Sequence, residues 1–156
     1  MKLRLGFIVA GVVACMAGAY AAEQMQVPKG VPPPKPIPRQ YVQASPCIPT
    51  MGEHWVNPKV PDAPIYGVYQ GKPVFTEIMV LPKDLAAGKN WNNVLQPLPG
   101  YQINHVDIGY LPHGHPGMMF PHYDIHAYYV AHDVHMGWCG GEAALTKLMS
   151  QMGKTP

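Results

Sequence analysis

The segment that decides the fold is Ile65-Tyr-Gly-Val-Tyr-Gln-Gly-Lys-Pro-Val-Phe-Thr-Glu-Ile-Met-Val80. Two runs rich in β-branched and aromatic residues flank Gln70-Gly71-Lys72, which is a turn sequence, and this pattern predicts a β-hairpin. Pro73 lacks an amide hydrogen, so we expect the second strand of the hairpin to start at a sheet edge. The hairpin makes an antiparallel sheet the starting hypothesis for the whole chain.

Two further segments, 103–111 and 121–131, have the composition of strands, and the Pro/Gly-rich segment 112–117 between them predicts a loop. Apolar residues at helical spacing predict a short amphipathic helix over 141–152. Strands therefore outnumber helices. We predict a mainly β or α+β fold, a compact antiparallel barrel- or sandwich-like domain with a short C-terminal helix.

The composition agrees with this fold class. Nineteen Pro and 16 Gly in 156 residues argue against a helical bundle, and 47% hydrophobic against 13% charged residues argues against a disordered chain. The length allows one domain, which we place at residues 47–156.

The N-terminus has the pattern of a secretory signal peptide. Lys2 and Arg4 precede an apolar run over 5–17, and Ala19-Tyr20-Ala21 is a small-x-small cleavage pattern. We therefore predict a signal peptide at residues 1–21 and a periplasmic or extracellular protein with no membrane span after signal removal. The alternative is a lipoprotein, because Val12-Val13-Ala14-Cys15 resembles a lipobox that would place a lipid on Cys15.

Residues 22–46 are rich in proline, with eight Pro between Val27 and Pro49, and predict an extended arm. The arm is either a spacer or a segment that packs on a neighbouring subunit of a homo-oligomer.

Removing Lys2 and Arg4 from the 11 basic residues leaves 9, equal to the 9 acidic ones. A neutral mature chain argues against nucleic acid and acidic lipid as partners.

Cys47 and Cys139 are the two cysteines left after signal removal. In an oxidising compartment such a pair predicts one disulfide. The alternative is a pair of thiolate metal ligands, although neither cysteine has a second one at metal-finger spacing.

Histidine is concentrated in one region, since seven of the eight His lie between His105 and His135. In the predicted strand, His122, Asp124 and His126 alternate and so share a face. Their Cα atoms are about 6.6 Å apart for neighbours and roughly 13 Å apart for the two His, so neighbouring pairs are better placed to share an ion.

The same face needs ligands from elsewhere, and His54, Glu77 and His105, which alternates with Asp107, are the candidates. Neutral imidazoles with carboxylates suit divalent transition metals, zinc or copper above all. His113 and His115 in the loop, and His132 and His135 after the strand, are predicted first of all to be solvated. The alternatives are metal contact for the loop pair and, with Asp133, a surface ion for the second pair. The predicted metal-site residues are His54, His122, Asp124, His126, His105 and Glu77.

Three blocks in order, Cys47 to His54, Pro64 to Met79 and Pro121 to Tyr128, resemble an uncharacterised family of exported bacterial proteins. This family is classed as a domain of unknown function, and one branch is linked to envelope-stress sigma-factor control. The resemblance implies no activity. It favours the blocks with His54, Glu77 and the 122–126 segment as the site, and it makes self-assembly worth testing.

Three hypotheses follow for function. The first is an exported metal-binding protein with an envelope or stress-related role. The second is a metal-assisted or acid/base enzyme of unknown substrate that uses the same residues. The third is a structural, self-assembling envelope protein in which the histidines are incidental.

Overall fold

The predicted hairpin lies in the middle of a six-stranded antiparallel sheet. The computed structural model describes residue 27 and residues 30–115 and 118–152. The predicted signal peptide and Cys15 lie outside these residues. The strands are β1 (Val42–Gln43), β2 (Glu53–Val56), β3 (Ile65–Tyr69), β4 (Lys72–Val80), β5 (His105–Leu111) and β6 (His122–Tyr128).

The strand order is β1-β2-β3-β4-β6-β5, with every pair antiparallel. Strands β1 and β5 are the two edges, so the sheet formed by the described residues is open. Helices are few and short: α1 (Pro82–Ala86), α2 (His132–His135), a 3-10 turn (Trp138–Gly140) and α3 (Gly141–Met152). The predicted antiparallel α+β domain with a short C-terminal helix is confirmed. None of the helices in the described part of the chain is long and apolar enough to cross a membrane.

The hairpin turn is a two-residue loop. Gln70 and Gly71 both have positive φ, of 50° and 74°, which is the geometry that lets a tight turn follow the twist of its strands. The expectation that β4 starts at a sheet edge holds for its first residues only, because further along β4 pairs with β3 on one side and β6 on the other. The β6 register reaches only to Phe75, so Pro73 lies in a stretch of β4 that pairs with β3 alone.

Two small apolar clusters form the core. One contains Ile37, Tyr41, Trp55, Val68 and Leu98, and the other contains Val74, Phe75, Tyr128 and Trp138. The predicted arm therefore takes part in the fold at its C-terminal end, where β1 also joins the sheet. Burial of Ile37 and Tyr41 and the pairing of β1 fix this segment on the domain despite its prolines. The packed domain therefore begins before residue 47.

The predicted disulfide is present between Cys47 and Cys139, whose Cα atoms are 5.9 Å apart. It joins the segment before β2 to the 3-10 turn after β6. A backbone hydrogen bond from Thr50 N–H to the Trp138 carbonyl, 3.0 Å long, ties the same two segments. The ends of the domain are thus held together beside one face of the sheet.

Candidate metal centre

One face of the sheet carries a row of titratable side chains. His122, Asp124 and His126 alternate along β6 and are 0%, 5% and 4% exposed. Because alternate residues of a strand point the same way, all three lie on this face. The predicted shared face is confirmed.

Strand register brings further ligands to the same face. Glu77 of β4 lies directly opposite His126 on one side, and Asp107 of β5 lies opposite His126 on the other. Directly opposed residues in an antiparallel pair share a face. The middle of β6 is therefore flanked by a carboxylate on each side.

His54 lies on β2, and the residue of β3 opposite it is a glycine, so no β3 side chain separates His54 from this row. Gly67 of β3 pairs with His54 of β2 and with Phe75 of β4. A Cβ on Gly67 would overlap the Phe75 ring. Because glycine has no side chain, the Phe75 ring can pack directly over the β3 backbone at this position. The ring of Phe75 in turn contacts both imidazoles, with centroids 5.3 Å from His54 and 4.8 Å from His126.

His54, Glu77 and His126 form the first group, which we call the Glu77 triad. Glu77 Oε2 lies 3.5 Å from His54 Nε2, and Glu77 Oε1 lies 3.6 Å from His126 Nε2. The Ser45 hydroxyl donates to the Pro46 carbonyl at 2.9 Å and lies 3.2 Å from His54 Nδ1. Its oxygen therefore accepts from Nδ1–H, which leaves Nε2 of His54 with a free lone pair directed at Glu77.

His115, His122 and Asp124 form the second group, the Asp124 triad. Asp124 Oδ1 lies 3.1 Å from His122 Nε2, and Asp124 Oδ2 lies 3.9 Å from His115 Nε2. His122 Nδ1 donates to the Phe120 carbonyl at 2.7 Å. A carbonyl only accepts, so Nδ1 carries a proton and the ring is held with Nε2 towards Asp124.

The two triads share an unusual property. Four of their side-chain atoms are buried and have no hydrogen-bond partner among the described residues: Glu77 Oε2, His122 Nε2, Asp124 Oδ1 and His126 Nε2. Buried polar atoms are normally hydrogen-bonded, because an unpaired one costs about 1–3 kcal/mol. Four lone-pair atoms gathered on one face of a sheet are a donor set for a cation.

The carboxyl groups of the triads influence each other. Burial raises the pKa of Glu77 well above its ordinary value, and the neighbouring Asp124 carboxyl raises it further. Burial also raises the pKa of Asp124, although the imidazoles of His115 and His122 oppose this. The two triads therefore meet through their carboxyls, and without a cation the pair retains a proton more readily than isolated carboxylates do.

The imidazoles shift in the opposite direction. Burial, then the nearby His115, lowers the pKa of His54 to about 4. Burial, then His54, lowers the pKa of His126 well below its ordinary value. Both rings are neutral at physiological pH, and the neutral ring is the form that binds a metal.

A separate group of four lies at the β5 edge of the same face, and we call it the Asp107 cluster. It contains His105, Asp107, His132 and His135, whose candidate ligand atoms all lie within 4.8 Å of one another. The predicted site residue His105 is found here, away from the two triads. His122 and His126 are in different triads, while His54 and Glu77 join His126.

Sequence reasoning missed part of these groups. His135 was predicted to be solvated but is 2% exposed, and His132 is exposed but contributes to the Asp107 cluster. His115 was also predicted to be solvated and is part of the Asp124 triad. The signal that could have found two of them was the i, i+3 spacing of His132 and His135, which places both on one side of a single helical turn.

A groove of about 340 Å³ connects the groups. Asp124 and His126 line one part of it, and Asp107, His132 and His135 line another. Apolar residues such as Leu111 and Leu145 complete its walls. A small molecule or a hydrated ion in this groove would contact ligands of both the triads and the Asp107 cluster.

No protein-family model matches the chain, and no curated protein matches it. Among solved structures, the chain is similar to the crystal structure of a hypothetical protein from Thermus thermophilus, with 29% identity and a TM-score of 0.52. The similarity covers 61% of this chain and 86% of that chain. It supports the fold, and the name of that protein assigns no activity.

Proposed function

We propose that this chain is an exported metal-binding protein that holds a divalent transition metal, zinc or copper, at the Glu77 and Asp124 triads. The observation that carries the proposal is the set of four buried, unpartnered atoms of Glu77, His122, Asp124 and His126. All four are ligand atoms, and all lie on one sheet face.

A proton shared by the Glu77 and Asp124 carboxyls would link these two groups, but it would not pair the imidazole nitrogens that Glu77 faces. A proton on Asp124 would pair it with His122 Nε2 at 3.1 Å. The Glu77 oxygens, however, are 3.5 and 3.6 Å from the two imidazole nitrogens they face, which is beyond a good N–H···O distance. Two ligands bonded at about 2.0–2.1 Å to a tetrahedral ion are about 3.3 Å apart, which is close to these separations.

The donor types support a borderline transition metal. Imidazole nitrogen with carboxylate oxygen suits zinc and copper, whereas calcium and magnesium prefer oxygen ligands alone. The Nδ1 hydrogen bonds of His54 and His122 hold each ring with Nε2 towards the site, as outer partners do for metal-ligating histidines.

Two features support export. The first is the signal-peptide pattern of residues 1–21, and the second is the Cys47–Cys139 disulfide, which is typical of oxidising compartments. The envelope-stress role stays a prediction from the sequence resemblance. Self-assembly also stays a prediction. Light scattering of the mature chain measures its mass, and a mass above that of one chain would support self-assembly.

The test is metal content by mass spectrometry of the mature protein purified without a His tag and then reloaded with Zn²⁺ or Cu²⁺. Glu77→Gln and Asp124→Asn keep side-chain shape, and we expect each to lower the bound metal or its affinity by at least about tenfold. His122→Ala and His126→Ala should do the same.

His113→Ala is the matched control, because His113 is exposed in the 112–115 loop and belongs to none of the three groups. Its metal content should equal that of the wild type. Folding of every variant is checked by circular dichroism. Unchanged metal content and affinity in folded Glu77→Gln and Asp124→Asn proteins would refute the proposal.

The groove favours a second function, metal-assisted chemistry on a small molecule. Its volume of about 340 Å³ is at the lower end of the range for small-molecule sites, and Asp124 and His126 both line it. A metal held by Asp124 and His126 would supply activation of water beside this groove, and hydrolysis of an activated ester such as 4-nitrophenyl acetate is the assay for that chemistry. Hydrolysis by the zinc-loaded protein no faster than by its Asp124→Asn variant would count against this function.

A further inference from the structure

We infer that the Asp107 cluster is a second metal site, which binds its own ion through three imidazoles and one carboxylate. Strand β5 supplies His105 and Asp107, and the single-turn helix α2 supplies His132 and His135. This inference does not depend on the function proposed for the two triads, because the two sets share no ligand.

The separations between ligand atoms fit one tetrahedral ion. His105 Nε2 lies 3.3 Å from His135 Nε2, and Asp107 Oδ2 lies 3.4 Å from His132 Nδ1. The same Asp107 oxygen is 3.6 Å from His135 Nε2 and 3.7 Å from His105 Nε2. The spacing expected around tetrahedral zinc is about 3.3 Å, so small inward movements bring all four atoms into bonding range.

The protonation of the two buried or half-buried rings points to a cation. His135 Nδ1 lies 2.8 Å from the Thr50 carbonyl, which only accepts, so this nitrogen carries the proton. His105 Nδ1 lies 3.3 Å from Asn104 Oδ1, also an acceptor. When His105 donates from Nδ1, both Nε2 atoms present lone pairs to each other at 3.3 Å, and a cation between them removes the repulsion. In the other tautomer His105 Nε2–H donates to His135 Nε2, and a metal ion would take the place of that proton.

Hydrogen bonds do not account for the geometry. Asp107 Oδ2 faces three imidazole nitrogens at 3.4–3.7 Å, and none of these distances is that of a good hydrogen bond. The Asp107 oxygen lies at nearly the same distance from all three nitrogens, and that distance is too long for hydrogen bonds. This arrangement is expected when four ligand atoms surround a shared ion.

The surroundings hold the rings in place for this role. The Tyr128 ring stacks on His135 with centroids 3.9 Å apart and on His105 at 5.1 Å. The Thr50 carbonyl that orients His135 lies in the segment that the Cys47–Cys139 disulfide ties to the 3-10 turn after α2. His132, with 59% of its side chain exposed, gives an ion a route from solvent.

A tetrahedral set of three nitrogens and one oxygen is well suited to Zn²⁺ and less suited to Cu²⁺, which prefers tetragonal coordination. An ion here would bridge β5, an edge strand, to α2. We therefore expect zinc at this cluster to have a structural effect as well, since it joins two elements that the sheet hydrogen bonds do not connect.

The test is Co²⁺ titration of the chelated, disulfide-bonded mature chain. Tetrahedral Co²⁺ absorbs visible light much more strongly than octahedral Co²⁺, so the spectrum reports the geometry of the site directly. We expect the strong band in the wild type, and we expect Asp107→Asn and His132→Gln to lose the part of it that one site contributes and to bind one Zn²⁺ fewer per chain. Both residues are at least one-third exposed, so their replacement leaves the core intact.

Asp133→Asn and His113→Gln are the matched controls, because both residues are exposed and outside the cluster. They should keep the band. A band intensity and a Zn²⁺ stoichiometry that are unchanged in both Asp107→Asn and His132→Gln would overturn the inference, as would the absence of a tetrahedral band in the wild type.

A Glu77→Gln/Asp124→Asn background separates this inference from the proposed function. If the triads bind metal, this double variant loses metal but keeps the tetrahedral band, and adding Asp107→Asn then removes it. If the triads bind none, the double variant matches the wild type while Asp107→Asn still loses one ion. If the Asp107 cluster binds none, adding Asp107→Asn to the double variant changes nothing, and the inference is overturned.

Discussion

Gly67→Ala is expected to destabilise the protein and to disturb the Glu77 triad from a distance. A Cβ at this position would lie more than 1 Å closer to three atoms of the Phe75 ring than the roughly 3.5 Å at which carbon atoms touch. Phe75 is completely buried, so its ring has no free space to move into. The strain should therefore fall at the upper end of the usual cost of overpacking, about 3 kcal/mol.

Alanine also restricts the unfolded chain, and this offsets the strain by up to about 1 kcal/mol. The net loss is then about 2 kcal/mol, which lowers Tm by roughly 8 °C for a domain of this size. Because Phe75 contacts His54 and His126, the displaced ring should also weaken metal binding at the Glu77 triad.

Gly109→Ala is the matched control. Gly109 also lies in a strand, and a Cβ there would meet no atom within 4 Å. Its Tm should stay level or rise by a few degrees, as expected for a glycine replaced without strain. Thermal melts of the two metal-free variants side by side make the comparison. A Gly67→Ala protein as stable as Gly109→Ala would refute the packing of Phe75 over Gly67.

Two further predictions concern charge and the disulfide. The raised pKa of Glu77 means that folded, metal-free protein binds a proton above pH about 4.3 that the unfolded chain releases. Stability from this group therefore falls as pH rises through its raised pKa, and Glu77→Gln should remove that fall from Tm measured against pH in a chelator; parallel profiles for the two proteins would contradict it. Replacing Cys47 and Cys139 by serine should cost about 4 kcal/mol, because the disulfide closes a separation of 92 residues. Urea denaturation measures this loss, and a midpoint equal to that of the wild type would show that the disulfide does not constrain the unfolded chain.

Local pattern was sufficient to predict the hairpin, the 141–152 helix and the shared face of His122, Asp124 and His126. These features depend on periodicity within one segment. The meeting of Glu77 with His126 could be suggested from the sequence but no local pattern required it. It depends on β4 and β6 being neighbours in register, although they are more than 40 residues apart in sequence. Strand order is a property of the whole sheet, and no single segment carries it.

Short elements account for the other differences. Helix α2 has four residues, too few for a hydrophobic period, so the i, i+3 spacing of His132 and His135 was the only local signal, and it does not indicate that they approach β5. In the proline-rich arm the local pattern was clear, but it did not reveal the packing of the segment. Its prolines suggested an extended segment, yet Ile37 and Tyr41 are 4% and 5% exposed, and two anchoring side chains are sufficient to pack such a segment on a core.

The candidate sites also bear on how the domain stays folded. Its two core clusters contain five and four buried residues, while Glu77, His122, Asp124, His126 and His135 are buried without being apolar. Burying such groups without partners opposes folding. With an ion bound, burial of these ligand side chains favours folding instead, because ligand atoms that are unpartnered in the metal-free chain become bonded to the metal. The polar sheet face would then depend on metal, and the link between the segment before β2 and the 3-10 turn would depend on the Cys47–Cys139 disulfide, which persists in oxidising compartments.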